Sequence, residues 1–272
     1  MRSNHMVEPA YLLAYHQILL QASAYVYRVT RAQFEEHLAF ITSCFPAVRA
    51  NIPTAGITFD DGHISNYEHA FPLLEQFGLK ATFFVPAGQI GNAPNHISWS
   101  QARELAAAGH SVQSHGWSHR MLTRCSPGEL EQELNDSKGE LQDRLGRQVF
   151  ALSAPGGRWD ERVVGACARA GYTHLYHSNP WTKSQLSQGV RLSGRMMVTN
   201  RMDAAGLRAQ VHATGGKKFY LRSKYAAKER ARILMGDKVY HRLWCWLAKY
   251  DTEEKMEVQV DRPPERNAAR RG

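Results

Sequence analysis

From about residue 55 to residue 180 the chain alternates short apolar runs with amphipathic stretches, and that alternation sets the expected fold. Residues 55–60 are an apolar run ending in two acids before Gly62. Residues 81–85 (Ala-Thr-Phe-Phe-Val) have the β-branched and aromatic character of a buried strand. Ser98 with Gln101 fits a capping box, so a helix is predicted to open there, with Gly109 as its stop. Ser126 with Glu129 is a second box, with Pro127 at the first helical position, and the helix it opens aligns Leu130, Leu134, Leu141 and Leu145. Asp160 caps a third helix that Gly171 closes. Residues 11–18 read as a first strand, and residues 111–114, 149–154 and 173–176 are short enough to be others. Strand–helix alternation predicts a parallel sheet with helices outside it, closed or nearly closed into a barrel. In such barrels reactive groups stand at the C-terminal ends of strands.

Beyond about residue 200 the pattern changes to a basic helical stretch, 223–249, and then to a polar tail with Pro263-Pro264. The expected organisation is an α/β barrel over residues 7–200, a basic helical extension over 201–250 packing on it, and a disordered tail over 251–272.

Composition narrows the function less than the pattern does. With 272 residues and 43% hydrophobic content, the chain can bury one large core. Its net charge of +9 invites a nucleic-acid partner, because lysine and arginine displace counterions from phosphates. The excess is concentrated in the C-terminal third without a nucleic-acid-binding motif, so no nucleic acid is expected; an acidic glycan or peripheral contact with an anionic membrane suits the same charge. Cys44, Cys125, Cys167 and Cys245 form no CxxC pair, which argues against a disulfide framework and a thiolate zinc site. The apolar residues 11–27 end near Ala22-Ser23-Ala24 but are interrupted by His16, Gln17 and Gln21 and preceded by Glu8. Neither an export signal nor a membrane span is expected, and the expected location is therefore cytoplasmic. Residues 1–6 look like an appended leader.

Three segments carry candidate chemistry. Thr58-Phe59-Asp60-Asp61-Gly62 puts adjacent carboxylates at a strand end, where they repel unless they share a cation or a proton. On a straight strand they point to opposite faces, and Gly62 permits a turn that brings both toward one centre. In Ser114-His115-Gly116-Trp117-Ser118-His119, two histidines four apart lie on one side of a helical turn and can chelate one ion. Two histidines and a carboxylate leave open positions for water and substrate, as hydrolytic zinc and related divalent metals require. The glycines of Ser153-Ala154-Pro155-Gly156-Gly157-Arg158-Trp159 let backbone N–H groups approach a ligand, as an oxyanion hole requires; the same segment also reads as a plain strand-to-helix turn.

In this order and spacing, the three segments resemble the polysaccharide deacetylase family, carbohydrate esterase family four with its chitooligosaccharide deacetylase homology domain. The family shows TFDDG, HS/TxxH and RxPxG motifs, and an opening like Tyr15-His16-Gln17-Ile18; the likeness covers about residues 10–200. It implies a distorted, seven-stranded (β/α) barrel and a hydrolase of carbon–nitrogen bonds that removes N-acetyl groups from N-acetylhexosamine units of a polysaccharide or glycan precursor, such as an exopolysaccharide. It implies Asp60 as general base, Asp61, His115 and His119 as ligands of a divalent metal (zinc, with cobalt, manganese or nickel as alternatives), and the Gly156 N–H, beside Pro155, as oxyanion donor.

Three features depart from the family. Gly116 stands where Ser or Thr is usual, Ser153 replaces the arginine that steadies the base, and no LxxH motif for the general acid follows residue 180. His177, at the end of a predicted strand, is the stand-in acid, and Arg158 is a candidate source of the lost charge. Trp117 and Trp159 flank the site and are candidates for stacking on a sugar ring. The departures keep two other readings open: a catalytically impaired glycan-binding protein, and a deacylase of a non-carbohydrate amide.

Overall fold

The computed structural model describes residues 11–44, 55–182 and 184–248. Parallel strands β1 (Tyr11–Tyr15), β4 (Ala55–Phe59), β5 (Ala81–Val85), β6 (Ser111–Ser114), β7 (Ala151–Ser153) and β8 (His174–His177) lie side by side in chain order. A short parallel pair, β2 (Gln17–Leu19) and β3 (Arg28–Thr30), stands apart from them. The single first strand predicted over 11–18 is therefore broken at His16.

The ring closes through one bent segment. Strand β10 (Val190–Gly194) pairs with β8, placing Gly194 opposite His177. Strand β11 (Met196–Met197) pairs with β1, placing Met196 opposite Leu13. Only Arg195 separates the two, so one stave bonds both open edges, and counting β10 and β11 together the barrel has seven staves. An antiparallel strand, β9 (Gln185–Ser187), borders β10. Leu13, Ile57, Phe59, Phe83, Leu152, Leu175 and Leu192 are buried on these staves, and the Phe59 and Phe83 rings stack at 4.9 Å. Each such burial contributes about 1.5–3 kcal/mol.

Helices cover the outside. In α1 (Arg31–Cys44) Phe34, Leu38 and Ile41 share the buried face at helical spacing. After α2 (Phe71–Phe77) come the two helices with predicted capping boxes, α3 (Trp99–Ala107) and α4 (Pro127–Leu145), and both boxes are complete. Helix α5 (Glu161–Arg169) starts at Asp160, whose side chain accepts from the Val163 N–H. Its Cys167 thiol is buried, and burial pushes its pKa up to about 12.

Within the predicted extension, α6 (Ala204–Val211) packs on α1 through buried Leu207 and Val211. Helix α7 (Gly215–Ala248) begins earlier than residue 223 and consists of two runs meeting at Gly236, with Phe219 and Tyr220 exposed. No helix among the described residues is long and apolar enough to cross a membrane. Residues 1–6, and 251–272 where a disordered tail is expected, lie outside the described residues.

Candidate active site and metal centre

The acid pair leaves the C-terminal end of β4. Asp60 still follows the strand, its N–H donating to the Tyr15 carbonyl. Asp61 (φ 70°) and Gly62 (φ 67°) are both left-handed, and this double turn breaks the strand's alternation of faces. The glycine is required for space as well: a Cβ there stands 3.1 Å from Val85 Cγ1.

His115 and His119 meet the Asp61 carboxylate, although the segment between them is a loop and not the helical turn expected from their spacing. Gly116 (φ 80°) and His119 (φ 62°) take left-handed backbone, which a helix forbids. Each imidazole Nε2 lies 3.1 Å from the same oxygen, Asp61 Oδ1. His115 Nδ1 lies 2.8 Å from the Ser153 carbonyl, which only accepts, so the proton is on Nδ1 and the Nε2 lone pair faces the carboxylate. One ligand atom from each of the three residues lies within 4.8 Å of the others. This set of two imidazole nitrogens and one carboxylate oxygen fits a borderline divalent cation with open coordination positions.

Asp60 occupies a different environment. Arg195, at the bend of the closing stave, donates from Nη1 to Oδ1 at 2.7 Å and from Nη2 to Oδ2 at 2.6 Å. The same guanidinium donates to Thr58 Oγ1 and to Ser153 Oγ, and Ser153 in turn donates to Asp60 Oδ2. Burial raises the Asp60 pKa, but the charge and hydrogen bonds of Arg195 outweigh it and hold the carboxyl below its usual range. The positive charge missing from position 153 thus comes from Arg195, while the Arg158 Nη1 donates to Met121 Sδ. Ser153 fits because it bridges the pair, whereas an arginine in its place competes with Arg195 for one buried space.

The remaining candidates gather on the rim. Pro155 and Gly156 (φ 65°) form a tight turn after β7. His177 ends β8, and its carbonyl accepts from the Arg195 N–H. Its Nδ1 accepts from the Asn179 N–H, so Nε2 bears the proton, and that atom is buried with no partner. Burial, then the Arg195 charge, push its pKa down to about 4, so it is neutral at pH 7. The Trp159 ring lies 5.8 Å from the His177 ring. Trp117 is wedged against Gly88, where a Cβ falls 2.8 Å from its Nε1.

Two site residues escape motif reading. Arg195 sits in Leu192-Ser193-Gly194-Arg195-Met196, which resembles no motif, and its only signal is a charge inside an apolar run. His16, noted only within the opening segment, stacks on Tyr27 at 4.6 Å with a buried, unpartnered Nδ1. Burial lowers its pKa, opposed by the Asp61 and Asp60 charges beside it.

Comparison with known proteins agrees with this geometry. The family profile described as polysaccharide deacetylase matches residues 47–175. YxkH of Bacillus subtilis (strain 168), named for the same family, is 29% identical over 216 residues, covering 74% of this chain and 76% of that protein. The chitooligosaccharide deacetylase of Bradyrhizobium sp. (strain ANU 289) is 30% identical over 124 residues, covering 45% of this chain and 54% of that protein. The chain thus spans about half the length of that second relative. Among solved structures, the Streptococcus pyogenes deacetylase PplD in complex with acetate superposes with a TM-score of 0.66 at 24% identity, covering 75% of this chain and 98% of that one. The last likeness establishes the barrel.

Proposed function

This chain belongs to the polysaccharide deacetylase family, and on that premise we propose that it hydrolyses the N-acetyl group of N-acetylhexosamine units in a glycan. The observation that carries the reading is the juxtaposition of an Asp-His-His ligand set with a second carboxylate held ionised by arginine. A divalent cation, zinc in our reading, would be held by Asp61, His115 and His119 and would supply Lewis acidity for the hydrolysis.

The chain's own groups do the rest. Asp60 accepts the proton of the water, and Arg195 aims its carboxylate and keeps it unprotonated between turnovers. The water oxygen bonds to the acetyl carbon, and the Gly156 N–H donates to the carbonyl oxygen as it gains charge. The C–N bond then breaks, the sugar nitrogen takes up a proton, and acetate and a free amine result. The proton on that nitrogen is the one Asp60 took from the water, and His177, neutral with its proton on Nε2, contributes a hydrogen bond rather than a proton. The positive net charge favours an acidic glycan.

The lost arginine argued for an impaired, glycan-binding protein, and Arg195 removes that argument. Acetate release is the test, measured on chitooligosaccharides, on other poly-N-acetylhexosamines and on peptidoglycan fragments. We expect release from at least one, abolished by chelator and restored by zinc, cobalt, manganese or nickel. Metal-loaded protein that releases no acetate from any of them, while still binding the glycans, overturns catalysis in favour of binding.

A further inference from the structure

We propose that Glu133, on helix α4, is a positioning residue for the metal ligand His119; this rests on the reading of Asp61, His115 and His119 as a metal centre. Glu133 lies on the buried face of α4 beside Leu130, Leu134 and Ser137, and only 7% of its surface is exposed. A carboxylate in such a place is costly unless donors surround it. Its donors all come from one loop. Oε2 accepts from the Trp117 N–H at 2.9 Å and the Ser118 N–H at 3.0 Å, while Oε1 accepts from the Ser118 hydroxyl. These two residues are the centre of the loop that joins His115 to His119.

The loop needs such an anchor. Gly116 and His119 are both left-handed, and a non-glycine residue in that region persists where its surroundings over-determine it. His115 is fixed independently, by its N–H to the Val85 carbonyl and its Nδ1 to the Ser153 carbonyl. Ser118, the residue directly before His119, holds two of the three Glu133 bonds. The glycine at 116, a departure from the family motif, belongs to the same arrangement. A Cβ there stands 3.2 Å from Glu133 Oε2, so a side chain at 116 and the carboxylate compete for one place. Glu133 therefore sets the His119 imidazole opposite Asp61 before any cation arrives.

The test is cobalt(II) and zinc(II) binding to the full chain, by titration calorimetry and the visible absorption of cobalt, with the melting temperature of the metal-free protein in parallel. Removing a partner that orients a ligand typically weakens metal binding about 10–100-fold, and we expect Glu133→Ala to fall in that range with an altered cobalt spectrum and cooperative melting. Glu133→Gln should bind within about threefold of wild type, since its amide oxygen accepts the two N–H groups and its NH₂ donates to the Ser118 hydroxyl. Should Glu133→Ala fail to fold, Ser118→Ala removes one of the three bonds alone and is expected to bind more weakly with its melting unchanged. Wild-type affinity in the folded alanine variants overturns the inference alone. Equal loss in Glu133→Ala and Glu133→Gln, tracking their melting temperatures, also overturns it in favour of a purely structural carboxylate. A wild-type protein that binds neither ion removes the metal centre and this inference with it.

Discussion

The two aspartates of the acid motif are sequence neighbours, yet they stand in opposite kinds of environment. Asp60 is sealed: its side chain is 5% exposed and its arginine partner 1%. Its negative charge is already neutralised by protein groups. Asp61 is 32% exposed, His119 20%, and the His119 Nε2 faces Asp61 Oδ1 at 3.1 Å. The backbone differs in the same sense, regular strand around Asp60 and left-handed turns at Asp61 and His119. A base that must stay ionised between turnovers benefits from a permanent counter-charge, whereas a metal site needs unsatisfied lone pairs and an open side. One peptide bond separates the two solutions.

That contrast can be broken from either side. Replacing both His115 and His119 by alanine should reduce bound metal from about one equivalent per chain to none, read by elemental analysis, because two of three ligands are gone. Full metal content in the double variant would place the ion elsewhere. Asp60→Asn should leave metal content intact while acetate release drops by ~10²–10⁴-fold, the usual contribution of a general base. If that variant instead loses its metal, the two aspartates are not separate in function.

Arg195→Met tests the sealed corner. Leaving a buried carboxylate without its partner should cost about 3–5 kcal/mol, measured by denaturant unfolding. The pH dependence carries a sign. With its folded pKa depressed, Asp60 stabilises the native state at neutral pH and loses that contribution as pH falls through the depressed value. Without Arg195 the pKa rises, so the acidic limb of both stability and kcat/KM should move toward neutral pH. A limb that stays in place would mean that Arg195 does not set the base. Ser153→Arg is expected to destabilise by about 1–3 kcal/mol through overpacking rather than restore a lost role. Smallest of all, Arg158→Ala should leave the acidic limb where it is, and a shift there would return the counter-charge to that residue.

What the sequence reveals divides along the same line. Asp60, Asp61, His115 and His119 are legible because each pair sits within five consecutive residues after an apolar run. The capping boxes at Ser98 and Ser126 are legible for the same reason, being complete within one helical turn. Arg195 is hidden because its partner lies 135 residues away and its own strands are too short for a period to register. Glu133 is hidden differently: on the leucine face of α4 it looks like an ordinary charge near a core edge until the loop it holds is seen. The spacing of His115 and His119 predicts a helical turn because spacing carries no φ, and Gly116 is the residue that speaks against it.

The closing stave also has a consequence for how the protein is made. Asp61, His115 and His119 all leave the ribosome before residue 120, but Arg195 is the last piece of the barrel and follows Asp60 by 135 residues. At bacterial and eukaryotic synthesis rates of ~5–20 residues per second, that interval is roughly 7–27 s. For the last 76 residues of it, roughly 4–15 s at those rates, the nascent chain carries all three ligand residues and no guanidinium to align its base. A product of early termination, cut before residue 190, inherits the same imbalance. It retains the three ligand residues and lacks the stave that gives the base its counter-charge.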